Sequence, residues 1–191
     1  GFYVGRYEAG IDTTTGTNRT SNTDKNSDGK YTMPSTVPVT KADAYPYTYV
    51  TRTQAQNLAN NVNSGNKTSS LMFGVQWDLV LAFMSKDTTK VNQENLKELI
   101  SDSTTIGNYY NSEFTLNRGK FATYNDLSDW KSYNSEEKPT LVTGSQKKEQ
   151  SSYKNGILLT TGATEATNLQ NIYDIAGNVW EWTREIYATS N

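Results

Sequence analysis

Two carboxylates near the C-terminal end of the sequence have residue types and a spacing that suit metal ligands. Asp174 and Glu181 lie on either side of a short segment that has Gly177 at its bend. Both side chains and the intervening backbone carbonyls can therefore converge on one point. A hard cation such as calcium takes roughly six to eight oxygen ligands from carboxylates, carbonyls and water. The segment predicts a calcium site.

Two tryptophans flank the second carboxylate. Residues two apart share one face of an extended strand, so we expect Trp180 and Trp182 to pack on the core while Glu181 points to the opposite face. The alternative is a Trp-rich core strand whose acidic side chains are solvated or accept backbone hydrogen bonds at the turn, because packing is the usual role of such aromatic residues. The spacing alone leaves both interpretations open.

A second segment has the opening pattern of an EF-hand calcium loop. Asp24–Gly29 carries oxygen donors at the first, third and fifth positions and glycine at the sixth. The twelfth position is Ser35, so the bidentate glutamate of such loops is missing. An acidic surface turn is the favoured interpretation.

Two residue types are absent from the chain, and both absences limit its chemistry. The sequence has no cysteine, which excludes disulfides, thiolate nucleophiles and thiolate metal sites within it. It also has no histidine, the side chain best suited to acid and base catalysis near neutral pH and the usual zinc ligand. We expect a protein that is not an enzyme.

Length and charge narrow the class of protein further. A chain of 191 residues is the size of one domain with its own core. The formal net charge is −2, with basic residues scattered among acidic ones, so nucleic acid is not expected as a partner. The longest apolar run, Leu79–Met84, is far shorter than the roughly 20 residues that span a bilayer. We therefore expect no membrane span.

The sequence pattern predicts few regular elements. Alternation over Phe2–Tyr7 predicts an opening strand, and the polar stretch Gly10–Pro38 predicts a long surface loop. A capping-box pattern at Thr51 predicts a first helix. The segment Val75–Met84 predicts a core helix with a wide buried stripe formed by Leu79, Val80, Phe83 and Met84. A third helix is expected over Asn92–Ile100, and a turn at Asn155-Gly156.

The C-terminal motif is also the most specific resemblance in the chain. The segment Tyr173–Thr183, with its run Gly-Asn-Val-Trp-Glu-Trp, resembles the signature of the formylglycine-generating, or sulfatase-modifying-factor, family. Three weaker matches occur in the family's order, at 2–8, 50–55 and 75–78. Together the matches span nearly the whole sequence.

The resemblance implies a fold and a ligand set. The fold would be α+β and C-type-lectin-like, rich in loops, with a few short helices and short antiparallel strands. One structural calcium ion would be held by the side chains of Asp174 and Glu181 and the backbone carbonyls of Gly177 and Val179. Residues 1–191 would form a single domain of this type that lacks its C-terminal part.

Departures from the family pattern decide the expected function. Members that oxidise a substrate cysteine hold copper between two cysteines downstream of the Trp-Glu-Trp run, and this chain has none. Arg52 and Gln76 also stand where the family often has tryptophan and glutamate. We therefore expect a non-catalytic ligand-binding module. The alternative is the N-terminal portion of a copper-dependent formylglycine-generating oxidase whose cysteines lie beyond this chain.

The binding interpretation carries expectations about partners and location. The module would bind a protein or glycan ligand, and a partner chain or a missing C-terminal segment would complete its fold. Such scaffolds also resemble the variable proteins of diversity-generating retroelements. The sequence starts at Gly1 without an initiator methionine or signal peptide, so we expect a processed or excised chain. As a binding module it is expected to be extracellular, on a cell surface or phage-displayed on a virion.

Overall fold

The computed structural model describes residues 1–62, 65–91, 106–109, 113–123, 126–133, 142–143 and 157–186. The third helix expected over Asn92–Ile100 and the turn at Asn155-Gly156 lie outside these residues. Over the described part, the protein is α+β, with short helices and small antiparallel sheets. At that level the sequence prediction is confirmed.

Seven short strands form three antiparallel sheets in the described residues. The strands are β1 (Gly10–Asp12), β2 (Ala44–Pro46), β3 (Glu113–Phe114), β4 (Lys120–Thr123), β5 (Asp126–Ser132), β6 (Val142–Thr143) and β7 (Ile157–Leu159). β1 pairs with β2, and β3 pairs with β6. β4 lies between β5 and β7, with Phe121 opposite Lys131 on one side and Leu159 on the other.

The first helix, α1 (Arg52–Asn61), begins where the sequence predicts. The Thr51 hydroxyl accepts a hydrogen bond from the Gln54 amide at 3.2 Å, and the Gln54 side chain accepts one from the Thr51 amide at 2.8 Å. This reciprocal pair satisfies two donors that helix ends leave without intrahelical partners. Leu58 then anchors the helix by its burial.

In the second helix, α2 (Gly74–Met84), only two of the four side chains predicted to be buried are buried. Val80 and Met84 are buried, whereas Leu79 and Phe83 are 55% and 49% exposed. Neighbouring helix positions differ by about 100° around the axis. Turning the Val80 and Met84 line to the interior therefore leaves the adjacent line at the surface.

The interior has two apolar clusters that hold the C-terminal third of the chain in place. The larger joins α2 to the segment after β7, and its buried members are Val80, Met84, Val91, Ile106, Leu169, Ile172 and Ala176. The smaller consists of Leu116, Leu159 and Ala163 and lies beside the β4 and β7 pair. A short 3-10 helix, Glu165–Thr167, connects the two regions along the chain. No helix in the described ranges is long and apolar enough to cross a membrane.

The predicted opening strand over Phe2–Tyr7 is wrong, because these residues form no strand. The segment is held instead by contacts with Tyr173, which donates its backbone N–H to the Arg6 carbonyl at 2.9 Å. The Tyr7 ring stacks on the Tyr173 ring with centroids 5.0 Å apart. The predicted loop over Gly10–Pro38 is irregular apart from β1 and isolated bridges.

Candidate functional site

The loop from Asp174 to Asn178 has a backbone that few residue types can adopt. Asp174, Gly177 and Asn178 all have positive φ, at 66°, 76° and 67°. Asp, Asn and Gly are the residues that visit this left-handed region most readily. A side chain on Gly177 would overlap the backbone of Asn108, with which it forms a parallel bridge. The sequence therefore permits a tight, buried loop at this position.

Asp174 is almost fully buried and uses both carboxylate oxygens. Oδ2 accepts a hydrogen bond from the Gly162 amide at 2.6 Å, and Oδ1 accepts one from the Thr167 hydroxyl at 2.9 Å. Burial raises the pKa of the carboxyl to about 6, although these two hydrogen bonds and the positive charge of Arg118 oppose the rise. The protein thus buries an acidic group without a directly paired cation in the described contacts.

Glu181 lies within electrostatic range of Asp174. Its side chain is half-buried. Burial raises its pKa well above the ordinary range, and the negative charge of Asp174 raises it further. The two carboxylates that the sequence paired as metal ligands therefore interact in the folded chain, and the interaction is repulsive when both are ionised.

Asn178 connects this loop to three distant parts of the chain. Its Nδ2 donates to Glu8 Oε1 at 2.8 Å and to the Leu159 carbonyl at 3.2 Å. Its Oδ1 accepts from the Leu159 amide at 2.9 Å and from Asn108 Nδ2 at 3.0 Å. The side chain thus fixes the loop against β7 and the N-terminal segment.

Glu8 brings a third carboxylate to the same region. It is only 9% exposed, and its Oε2 is buried without a hydrogen-bond partner. Burial raises its pKa well above the ordinary range, and the charges of Asp174 and Glu181 add to the rise, while the hydrogen bond from Asn178 opposes it. We call Glu8, Asp174 and Glu181 the acidic cluster.

The other two predicted ligands are backbone carbonyls of the same loop. The Gly177 carbonyl accepts a hydrogen bond from the Val179 amide at 2.9 Å, and Val179 itself is half-buried. All four predicted ligands thus belong to one loop and its exit. Among the described residues, no three His, Cys, Asp or Glu side chains group closely enough to form a metal-ligand cluster by themselves.

The EF-hand-like segment forms a turn in which the oxygens of Asp24 and Asn26 already have protein partners. Asn26 Oδ1 accepts hydrogen bonds from the backbone amides of Asp28 and Lys30 at 3.0 and 2.9 Å. Asp24 forms an ion pair with Arg19 at 2.5 Å. These contacts agree with the interpretation of a surface turn.

The expectation that the two tryptophans pack on the core is wrong. Trp180 is fully exposed and Trp182 is 48% exposed. No strand forms at these described residues, and Trp182 donates from its Nε1 to the Val50 carbonyl at 3.3 Å. The buried loop ends at Asn178, so the residues that follow leave the interior and do not extend a sheet.

Hydrogen bonds join the C-terminal segment to the start of α2. The Arg184 amide donates to the Met72 carbonyl at 2.9 Å, and Glu185 Oε1 accepts from the Gly74 amide at 2.5 Å. The C-terminal segment therefore lies along the start of the helix. We call the exposed side chains of these two segments the apolar surface: Val75, Leu79, Phe83, Trp180, Trp182 and Ile186.

Sequence reasoning missed Glu8 and Asn178 as parts of the site. Their hydrogen bond joins residues 170 positions apart, a separation over which no local pattern operates. The residue types gave one usable signal, because asparagine beside Gly177 suits a positive φ. In the sequence, Glu8 appeared only as the last residue of the family match over 2–8.

Comparison of the chain with protein-family models, with curated proteins and with solved structures found no match.

Proposed function

We propose that this chain is a non-catalytic ligand-binding module with a C-type-lectin-like scaffold of the formylglycine-generating-enzyme type, displayed outside the cell or on a virion. The single observation that carries the binding role is the apolar surface. Two lines of support stand beside it: the motif Tyr173–Thr183 with its colinear partners in the sequence, and the fit of the loop to a structural cation.

The apolar surface is costly for a protein to expose without a use. Along α2, Val75, Leu79 and Phe83 recur every four residues and form a continuous line about 12 Å long at 1.5 Å per residue. Trp180 adds the largest side chain with complete exposure. Large exposed apolar patches mark interaction sites in soluble proteins, and aromatic residues are enriched where partners bind.

The composition of the apolar surface favours a protein ligand over a glycan. Its helical part is aliphatic and aromatic, which suits the apolar contacts of a protein interface. A helix face with apolar residues at regular spacing is also a common docking element in protein recognition. Trp180 and Trp182 would then act as anchors at the edge of the contact.

A structural calcium ion belongs to the same proposal, and the donor chemistry of the loop fits it. Asp174 and Glu181 would supply carboxylate oxygens, and Gly177 and Val179 would supply carbonyls, which is the oxygen set that calcium prefers. Burial raises the pKa of both carboxyls, and the charge of Asp174 adds to the rise at Glu181; a cation between them would favour both charged forms. The ion would hold the buried loop from which the exposed residues emerge.

Binding can be tested with two matched double variants. Leu79→Ser/Phe83→Ser removes two side chains of the apolar surface, and Thr53→Ser/Asn57→Ser changes exposed positions with the same spacing on α1. The wild-type chain is screened on a protein array and a glycan array, and each binder is then measured by surface plasmon resonance against both variants. We expect protein binders whose affinity falls at least about tenfold with the α2 variant and is unchanged with the α1 variant.

Two outcomes contradict the proposed binding role. One is a wild-type chain that binds neither array. The other is a set of binders that the α2 variant retains with full affinity. Binders confined to the glycan array, lost with a Trp180→Ser variant, would overturn the choice of a protein ligand.

A further inference from the structure

Glu8 reaches the acidic cluster because its neighbours in sequence are fixed on Tyr173. The backbone bond from Tyr173 to Arg6 and the stacking of Tyr7 on the Tyr173 ring set the path of the N-terminal segment. The next residue, Glu8, then meets Asn178, which is five positions beyond Tyr173 in the sequence and ends the adjoining loop. The contacts of Arg6 and Tyr7 with Tyr173, together with the hydrogen bond from Asn178, therefore determine the position of Glu8.

The carboxylate of Glu8 is only half satisfied by the protein. Oε1 accepts the hydrogen bond from Asn178 at 2.8 Å, but Oε2 is removed from solvent and has no partner. Buried polar atoms are almost always paired, and an unpaired carboxylate oxygen is among the most costly exceptions. An ion or an ordered water beside Oε2 would remove the cost.

The composition of the loop favours an ion near Glu8 Oε2 over an isolated water molecule. Asn178, which holds Oε1, stands between Gly177 and Val179, whose carbonyls are two of the proposed calcium ligands. The charges of Asp174 and Glu181 also act on Glu8. The free oxygen thus lies in a region where three carboxylates share one electrostatic environment.

We propose that Glu8 is the third carboxylate of the calcium site, with Oε2 accepting a hydrogen bond from a calcium-bound water and its charge raising the affinity for the ion. The inference rests on the calcium proposal made above for Asp174, Gly177, Val179 and Glu181. Calcium commonly completes its coordination with water, so Glu8 need not touch the ion directly. This agrees with the described carboxylates not forming a three-residue ligand cluster.

The proposed role and a purely structural role differ in how the effect of a Glu8 variant depends on calcium. Glu8→Gln keeps the oxygen that accepts from Asn178 and removes the negative charge. If Glu8 serves the ion, this variant in a calcium chelator melts at the same temperature as the wild type or higher, because a buried repulsive charge has gone. If Glu8 is only structural, the variant shifts the melting temperature by the same amount with and without calcium.

Calcium titration by isothermal calorimetry, with thermal unfolding in chelator and in calcium, tests the inference. We expect one site in the wild type and at least about a tenfold higher Kd in Glu8→Gln, since calcium affinity depends on the number of charged groups in the site. Asp28→Asn, an exposed change in the EF-hand-like turn, should leave the Kd unchanged. Glu8→Asp, which keeps the charge, should retain more affinity than Glu8→Gln.

The outcomes separate this inference from the proposals on which it rests. A wild-type chain without calcium binding overturns the calcium site and the role of Glu8 together. Calcium binding with equal Kd in the wild type and Glu8→Gln overturns the role of Glu8 alone. So does a Glu8→Gln protein that fails to fold in chelator. None of these results bears on ligand binding by the apolar surface, which the array experiment measures separately.

Discussion

The two halves of the segment from Asp174 to Ile186 differ in almost every physical respect. In the first half, Asp174 and Asn178 are buried and hydrogen-bonded to residues far away in the sequence. In the second half, Trp180 and Ile186 are exposed, and the backbone forms no strand. A single motif thus supplies both a rigid buried anchor and a surface for contact.

Neighbouring residues of this segment therefore have different roles: the buried half stabilises the fold, and the exposed half is available for binding. Substitutions in the buried half are expected to cost folding free energy, because they leave polar groups unpaired. Substitutions in the exposed half are expected to change binding with little effect on folding. Measuring the free energy of unfolding for variants on both sides of Asn178 therefore tests this difference between the two halves.

The largest effect is expected at Asn178. Asn178→Gly keeps the positive φ without strain and removes the side chain that bonds Glu8, Asn108 and Leu159. We expect the free energy of unfolding to fall by on the order of 4 kcal/mol in urea denaturation, because several buried groups lose their partners at about 1–3 kcal/mol each.

Asn171→Gly is the matched control for that variant. Asn171 also has a positive φ, at 62°, but it is exposed. Its replacement should change the free energy of unfolding by less than about 0.5 kcal/mol. Equal losses in the two variants would show that backbone freedom, and not the hydrogen bonds of Asn178, accounts for the effect.

A second prediction concerns the division between buried and exposed side chains on α2. Met84 is fully buried in the larger apolar cluster, and Phe83 beside it is half exposed. Met84→Ala should cost about 3 kcal/mol through lost burial and a residual cavity. Phe83→Ala should cost only about 1 kcal/mol by the same measurement, since about half of Phe83 stays exposed after folding. A larger loss for Phe83→Ala would place that ring in the interior and remove it from the apolar surface.

The smallest effect is a pH dependence that comes from Asp174. Its pKa is raised from 3.8 to about 6 in the folded chain, so the folded state binds a proton more tightly than the unfolded state. The contribution of this carboxyl to stability in chelator therefore falls as pH rises from about 4 to about 6 and is constant above that range.

Comparison with Asp174→Asn isolates the contribution of that carboxyl. Relative to the variant, the wild type should lose on the order of 2 kcal/mol between pH 4 and pH 7 in chelator, measured by urea denaturation. With saturating calcium the trend should reverse, because the ion binds the deprotonated form. A difference between the two proteins that is the same at both pH values would refute the raised pKa of Asp174 in the folded chain.

Local signals in the sequence predicted local structure well. The capping box at Thr51 fixed the start of α1, because both of its hydrogen bonds join residues three apart. The proximity of Asp174 and Glu181 also followed from a short segment with glycine at its bend. Such features depend on a few neighbouring residues, so the pattern contains the information needed to predict them.

Features that depend on distant contacts could not be predicted in this way. The helical period identified α2 but could not choose whether the Val80 line or the Leu79 line faces the interior, since both are apolar. The tryptophans were assigned to the core because nothing local shows that the chain leaves the interior after Asn178. Glu8 enters the site only through contacts with Tyr173 and Asn178, far along the chain.

The most direct test of the calcium-anchored loop is a crystal structure of the chain grown with calcium, with anomalous diffraction to identify the ion. We predict one calcium ion bound by the carboxylates of Asp174 and Glu181 and the carbonyls of Gly177 and Val179, at about 2.3–2.6 Å. Density for water alone between Asp174 and Glu181, or a calcium ion bound only at Asp24–Gly29, would contradict the account.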